Sequence, residues 1–486
     1  METKEKTQKT LNGFQSALLL LLIIAAVAVC IRLKVGGPMM GLFFSWMIIY
    51  AFCIVLKIDY ENVKKGAFDA LKVVLPTMTI LMAIGVLIGT WMASGTIPTI
   101  IVYGLKLINP TFLLTFTLIF TAVLSLVTGT SYGSAGSAGV AMMAIGHAMG
   151  INPGMVAGAV ICGAMFGDKL SPFSDTTNLA PAVAGAKLGD HIKSMLWTTV
   201  PPMVVSIIIF TVLGIRQTQG SYDPGDLNVY IDYLQGAFYI GWTTLIPAIL
   251  IIALLMFRVG AFEALGIGAV AGALVAVFVQ GVDLQSILKI CYNGFTSDTD
   301  IGVLKSILNR GGMASMLQYV AIITFAVGMG GMLDRLGVLN KILSLFTKRI
   351  NSDGSLVFAT LMVGYVTSIV SCSSPMSHVL TGRLMQPLFK ERGVQPRILS
   401  RCLEDSGTLA GPMIPWHGYG IYMAGTLGVT WAQYIGFVPL LWLTPLFSIL
   451  YGFTGISIKH VEDEDASGNS DGKSAKREKI AGAGEA

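Results

Sequence analysis

A chain of 486 residues that is 54% hydrophobic and 12% charged carries more apolar surface than one water-soluble core can hide, and its mean hydropathy of +0.72 points to lipid as the solvent. The formal net charge of +5 is spread over loops and tails with no dense basic run between aromatics, which argues against nucleic acid as a partner. Cys30, Cys53, Cys162, Cys291, Cys372 and Cys402 stand apart without a CxxC pair. They suggest neither a disulfide framework nor a zinc site, and no cofactor is expected.

In chain order, a tail over 1–12 with Lys4, Lys6 and Lys9 leads into an apolar run from Phe14 to Ile31, closed by Arg32 and Lys34. Many further spans follow, so the run reads as an uncleaved first helix and not a signal peptide. Met39 to Leu56 is a second run, and Pro247 to Phe257 with its neighbours a later one. Their hydrophobicity is continuous and not alternating, which favours membrane helices over a barrel. The segments from Asp59 to Lys72 and from Asp283 to Arg310 are more polar, and amphipathic surface helices are predicted there. After Lys459 the chain is rich in Gly, Ser, Lys, Glu and Asp, so 458–486 is expected to be a disordered tail.

A shift of 243 positions aligns Gly85 with Gly328, Ser125 with Ser368, Thr128 with Ser371, Thr130 with Ser373 and Ser131 with Ser374. Gly139, Gly150, Pro153 and Pro202 meet Gly382, Gly393, Pro396 and Pro445 in the same register, with a three-residue slip near Pro172 and Pro412. Such recurrence marks a duplication, with units over 13–216 and 236–457 joined by 217–235. That linker carries Asp223, Asp226 and Asp232 but no Lys or Arg, whereas both tails are basic, so the linker is expected outside and the termini in the cytoplasm. Equivalent loops carry opposite charge. Residues 147–152 lack Lys and Arg where their counterpart has Lys390, Arg392 and Arg397, and Lys187 and Lys193 face the uncharged Gly428 to Gln433. Opposite charge at equivalent places is the pattern of inverted repeats.

Two polar stretches interrupt each unit. In the first they are Thr128-Gly129-Thr130-Ser131, followed by Gly133, Ser134, Gly136, Ser137 and Gly139, and then Gly167-Asp168-Lys169-Leu170-Ser171-Pro172-Phe173-Ser174-Asp175-Thr176-Thr177-Asn178. A continuous helix gains nothing from these sequences in lipid, because Pro172 removes a donor and Asp168 and Asp175 are costly to bury. Broken helices expose carbonyls and hydroxyls, the hard ligands an alkali cation needs. The second unit repeats the design with Ser371, Ser373, Ser374 and Pro375, then Glu404, Asp405, Ser406 and Thr408, then Pro412 and Pro415-Trp416-His417.

Close helix packing explains Ser134, Gly136, Ser137 and Gly139 well enough, but packing needs no carboxylate, so Asp168 and Asp175 read as functional. Glu404 and Asp405 compete with a structural reading in which Arg401, one turn earlier, pairs with either. His147, His378 and His417 have no metal-ligand spacing and read as core or interfacial histidines. Lys169 is either an internal counter-ion or a side chain snorkelling to the surface.

The stretch from Gly167 to Thr177 resembles the signature of the NhaC family of sodium/proton antiporters, and the segments around Asp405-Ser406-Gly407-Thr408 and Pro415-Trp416 are similar to that family as well. The resemblance covers nearly the whole chain. It implies an all-α, polytopic inner-membrane transporter with two inverted repeats, re-entrant hairpins and broken helices, and a homodimer. It also implies Na⁺ and H⁺ as the transported ions, with a small carboxylate as an alternative cargo, since similar proteins include a malate/lactate antiporter.

The expected exchange site is a buried carboxylate that holds either Na⁺ or H⁺, assigned to Asp168 or Asp175. Thr128, Thr130, Ser131, Ser171, Ser174, Thr176 and Asn178 are its candidate oxygen ligands. The denser ligand set of the first unit places these carboxylates ahead of Glu404. The absence of HExxH, GxSxG or paired-histidine motifs argues against an enzyme, and the repeated breaks argue against a simple channel.

Overall fold

The computed structural model describes residues 11–33, 37–218, 224–338 and 350–461. Lys4, Lys6 and Lys9, positions 219–223 of the linker and residues 462–486 lie outside the described residues, while 458–461, expected to open a disordered tail, are ordered against 393–395, with the Lys459 carbonyl accepting from the Gln395 amide and the Val461 amide donating to the Gly393 carbonyl. Among the described residues the chain is helical with no strand, apart from one isolated bridge between Val394 and His460.

The helices are α1 (Gly13–Arg32), α2 (Gly37–Leu56), α3 (Tyr60–Ala93), α4 (Thr96–Leu107) and α5 (Leu113–Thr128). The next begins as Ser131–Ser134, takes a π turn over Ala135–Gly139 and continues as Val140–Ala148; together these form α6. There follow α7 (Pro153–Leu170), α8 (Asp175–Ala184), α9 (Leu188–Thr218), α10 (Pro224–Ala237), α11 (Trp242–Met256), α12 (Ala261–Phe278), α13 (Leu284–Asn293), α14 (Gly302–Leu308) and α15 (Met313–Arg335). The last are α16 (Asp353–Ser371), α17 (Ser374–Glu391), α18 (Pro396–Leu403, continued by a π turn over Glu404–Thr408), α19 (Gly418–Leu427), α20 (Trp431–Tyr434) and α21 (Pro439–Thr454). Eight of the helices among the described residues are long and apolar enough to cross a membrane, or up to ten spans if two sharply bent pairs count as one each.

The polar segment from Asp59 to Lys72 is not a separate surface helix, as the sequence suggested. Asp59 caps the helix by accepting from the Glu61 amide at 3.1 Å, and α3 then runs 34 residues to Ala93. At 1.5 Å per residue that is about 51 Å, well beyond the ~30 Å hydrocarbon layer. Nothing in the segment breaks a helix, and Gly66 gives it a small face against Gly331 of α15, so tertiary packing carries it onward. The second unit does contain the expected short helix. Asp283 accepts from the Ser286 amide at 3.0 Å to begin α13, whose Leu284, Leu288 and Tyr292 are exposed at four-residue intervals, an apolar stripe suited to the membrane boundary.

Two turns 243 positions apart have similar backbone geometry. α5 ends at Gly129 in the left-handed region (φ 70°), and Thr130 is extended (φ −147°) before Ser131 starts α6. A similar turn follows α16: Cys372 is left-handed (φ 55°) and Ser373 extended (φ −144°) before Ser374 starts α17. α5 and α16 therefore end in the same kind of turn. Asp59 and Asp283 lie 224 positions apart and Gly85 and Gly328 lie 243 apart, and the 19 additional residues are the excursion 294–312 between α13 and α15.

Candidate functional site

α7 is almost entirely buried although it carries Asp168 and Lys169. Its glycines allow this: a side chain at Gly163 or Gly167 would run into the backbone of α5, and Ser125 of α5 donates to the Ala164 carbonyl at 2.7 Å. The helix stops at Leu170. The two carbonyls freed at its end, those of Asp168 and Lys169, both accept from Thr177 Oγ1, at 3.1 and 3.0 Å. Ser131, the first residue after the α5 break, donates its Oγ to Asp168 Oδ2 at 2.7 Å, and Ser174 stands beside the same carboxylate. The two first-unit breaks thus meet at Asp168.

The second unit brings Glu404 and Asp405 to the same place on the π turn that extends α18, both fully buried. Neither oxygen of Glu404 has a hydrogen-bond partner of ordinary geometry. The hydroxyls of Thr408 and Thr176 stand beside it, and Asp168 and Lys169 lie within electrostatic range. Asp405 Oδ1 accepts from Lys169 Nζ and from Thr198 Oγ1, the latter at 3.2 Å, and Lys169 also donates to Thr199 Oγ1 at 2.8 Å. Lys169 is therefore an internal counter-ion and does not snorkel. Arg401 forms no ion pair with Glu404 or Asp405, the contact on which a purely structural reading of either acid would rest. Its Nη1 donates to Ser457 Oγ at 2.7 Å, because the π turn beginning at Glu404 carries the carboxylates off the face that Arg401 occupies.

Three tyrosines close the cluster, and nothing in the sequence singled them out beyond their place next to the breaks. Tyr419 lies beside Ser131, Asp168 and Glu404. It stacks on Tyr132 with ring centroids 4.6 Å apart, and Tyr422 meets Tyr132 edge-on at 4.4 Å while donating to its carbonyl at 2.6 Å.

Other candidates hold the scaffold. Thr130 caps the Gly133 amide at 3.2 Å, Thr128 Oγ1 is 3.4 Å from Ser134 Oγ, and Ser171 Oγ accepts from the Phe173 amide at 3.3 Å. Asn178 is exposed and donates to the carbonyls of Pro172 and Ser174, at 2.9 and 2.8 Å. Asp175 is exposed in the first turn of α8, outside the enclosed cluster, though within electrostatic range of Asp168. Ser371 donates to the Ser373 carbonyl at 3.1 Å and Ser406 to that of Cys402 at 2.7 Å, while the Ser373 and Ser374 hydroxyls are buried without a partner. His378 Nε2 lies 3.1 Å from Thr408 Oγ1, His417 Nδ1 accepts from the Tyr419 amide at 3.1 Å, and His147 is half-buried. Among the described residues no group of three or more His, Cys, Asp or Glu is placed to hold a metal ion, so an alkali cation here would rest on two carboxylates and hydroxyls.

Apolar spanning helices that enclose broken helices, with buried carboxylates at the breaks, define a polytopic all-α membrane transporter. The model of the Na⁺/H⁺ antiporter family matches residues 163–456, a stretch that includes both Asp168 and Glu404. The chain is 40% identical over 416 residues to a malate-2H⁺/Na⁺-lactate antiporter of Bacillus subtilis (strain 168), covering 86% of this chain and 89% of the relative. It is 36% identical over 452 residues to the Na⁺/H⁺ antiporter NhaC of Alkalihalophilus pseudofirmus, covering 93% and 97%, and 34% identical to NhaC of Bacillus subtilis (strain 168), covering 92% and 99%. The chain belongs to the Na⁺/H⁺ antiporter family.

Proposed function

We propose that the protein exchanges Na⁺ for H⁺ at a site built by Asp168 and Glu404. The observation that carries this reading is the pair itself: two buried carboxylates in electrostatic range of each other, while Lys169 is paired with Asp405 and Arg401 makes no ion pair with either acid of the π turn. Two bare carboxylates stripped of water repel and are costly to bury, so the site needs a bound cation or protons. Na⁺ takes oxygens from the carboxylates and from Ser131, Ser174, Thr176 and Thr408. Protons neutralise the same oxygens, so each ion displaces the other. The titration belongs to the pair and not to one residue.

Inverted units over 13–216 and 236–457 would present this site to either side in turn, with both termini cytoplasmic and the linker outside the inner membrane. Purified protein in liposomes is expected to exchange Na⁺ for H⁺ with no organic solute present. A second reading, Na⁺- and H⁺-coupled exchange of organic acids, is favoured by the name of the 40% identical relative. Proton movement that stays absent until malate or lactate is supplied would establish that reading and overturn the first.

A further inference from the structure

The excursion 294–312, which the first unit lacks, builds a cavity of about 350 Å³ against α3, α15 and α19. We propose that this cavity is a binding site for a small organic carboxylate, with Arg310 as its anchor. The proposal goes beyond Na⁺/H⁺ exchange and does not depend on the Asp168–Glu404 site.

Arg310 is held from the backbone outward. Gly294, Gly311 and Gly312 adopt left-handed φ values of 93°, 90° and 81°, and a side chain on Gly311 would collide with the Gly89 backbone. The Gly312 amide donates to the Gly85 carbonyl at 2.6 Å, and the Phe295 amide donates to the Arg310 carbonyl at 3.2 Å, which pins both ends of the excursion to each other and to α3. Among the described residues the guanidinium makes no ion pair and one hydrogen bond, from Nη2 to the Leu427 carbonyl at 3.3 Å. Arg310 lines this cavity and also a smaller void beside His147, so the guanidinium stands between the two.

The wall decides the chemistry. It contains Arg310 and no acidic residue, and Asn293, Gln318, Ser315 and Tyr319 add amide and hydroxyl groups. A fixed guanidinium disfavours a metal cation and matches a carboxylate with two parallel donors. Asp298 and Asp300 of the same excursion are exposed and outside the wall, and with only one cation present a single carboxylate group flanked by uncharged donors is better served than a multiply charged anion such as phosphate. The volume lies at the lower end of the ~300–1,000 Å³ typical of small-molecule sites, which suits a short hydroxy acid whose hydroxyl meets the amides. The cavity is distinct from the exchange site: Gly425, which lines it, is six residues past Tyr419 on α19, about 9 Å along the axis.

Equilibrium binding of radiolabelled L-malate and L-lactate to the purified full-length protein tests the assignment. The expected result is saturable binding of at least one acid, displaced by unlabelled carboxylates but not by equal phosphate or sulfate. Arg310→Gln should weaken it about tenfold or more, the scale of a charge-assisted hydrogen bond. Arg310→Lys should keep part of it, Gln318→Ala should weaken it several-fold, and Asp168→Asn should leave it unchanged. Should Arg310→Gln fail to fold, the Arg310→Lys and Gln318→Ala arms decide alone. Absence of saturable binding in the millimolar range, displacement by phosphate as effective as by carboxylates, indifference to the Arg310 and Gln318 substitutions, or loss in Asp168→Asn would each overturn the proposal.

Discussion

Lys169 of the first unit and Asp405 of the second form a fully buried ion pair, and it joins the end of α7 to the π turn of α18. Breaking such a pair from one side leaves an uncompensated charge, so Lys169→Met or Asp405→Leu should each destabilise the protein by about 3–5 kcal/mol, while the double substitution should recover most of that loss. Thermal unfolding in detergent measures both. Additive effects in the double variant would show that the pair does not couple the two units.

Asp168→Asn and Glu404→Gln should each reduce Na⁺-evoked proton movement in everted vesicles by roughly tenfold or more, on the scale of 1.4 kcal/mol per decade. Asp175→Asn should have a smaller effect, since that carboxylate is exposed. Full activity in the Glu404 variant, at normal expression, would return the site to the first unit alone.

Competition between ions gives a signed pH dependence. Protons occupy the carboxylates at low pH, so the apparent KM for Na⁺ should fall as pH rises, by up to about tenfold per pH unit where one proton is displaced. Initial rates across a pH series in proteoliposomes would show it, and a KM independent of pH would mean separate sites for the two ions.

The two left-handed turns predict opposite stability effects. Cys372→Gly should stabilise by about 1 kcal/mol because it relieves a side chain from that conformation. Gly129→Ala should destabilise by more than that, since its Cβ would also stand 2.7 Å from Phe173 Cβ. Melting temperatures of the two variants decide the matter.

Orientation is open to labelling. A cysteine at Ser221 should react with an impermeant reagent in intact cells, and one at Lys390 only after permeabilisation. The reverse pattern would overturn the proposed topology.

Much of this protein was legible from its sequence because lipid imposes simple rules on a chain. Continuous apolar runs had to be helices, and Thr128 to Ser131 and Gly167 to Asn178 had to be breaks, since Pro172 and intramembrane carboxylates tolerate no ordinary span. The breaks after α5 and after α16 share one local geometry, a left-handed residue followed by an extended threonine or serine. Tertiary structure decided which polar groups meet. Asp168 and Asp175 share one motif, yet seven residues across a chain reversal left one buried and the other exposed, while Glu404, 236 positions away, came into range of Asp168. The pairing of Lys169 with Asp405 in place of Arg401 with either acid rested on a π turn that no local periodicity announces. The Arg310 cavity arose where a 19-residue excursion folded back on α3, an arrangement fixed by long-range backbone contacts that sequence spacing does not encode.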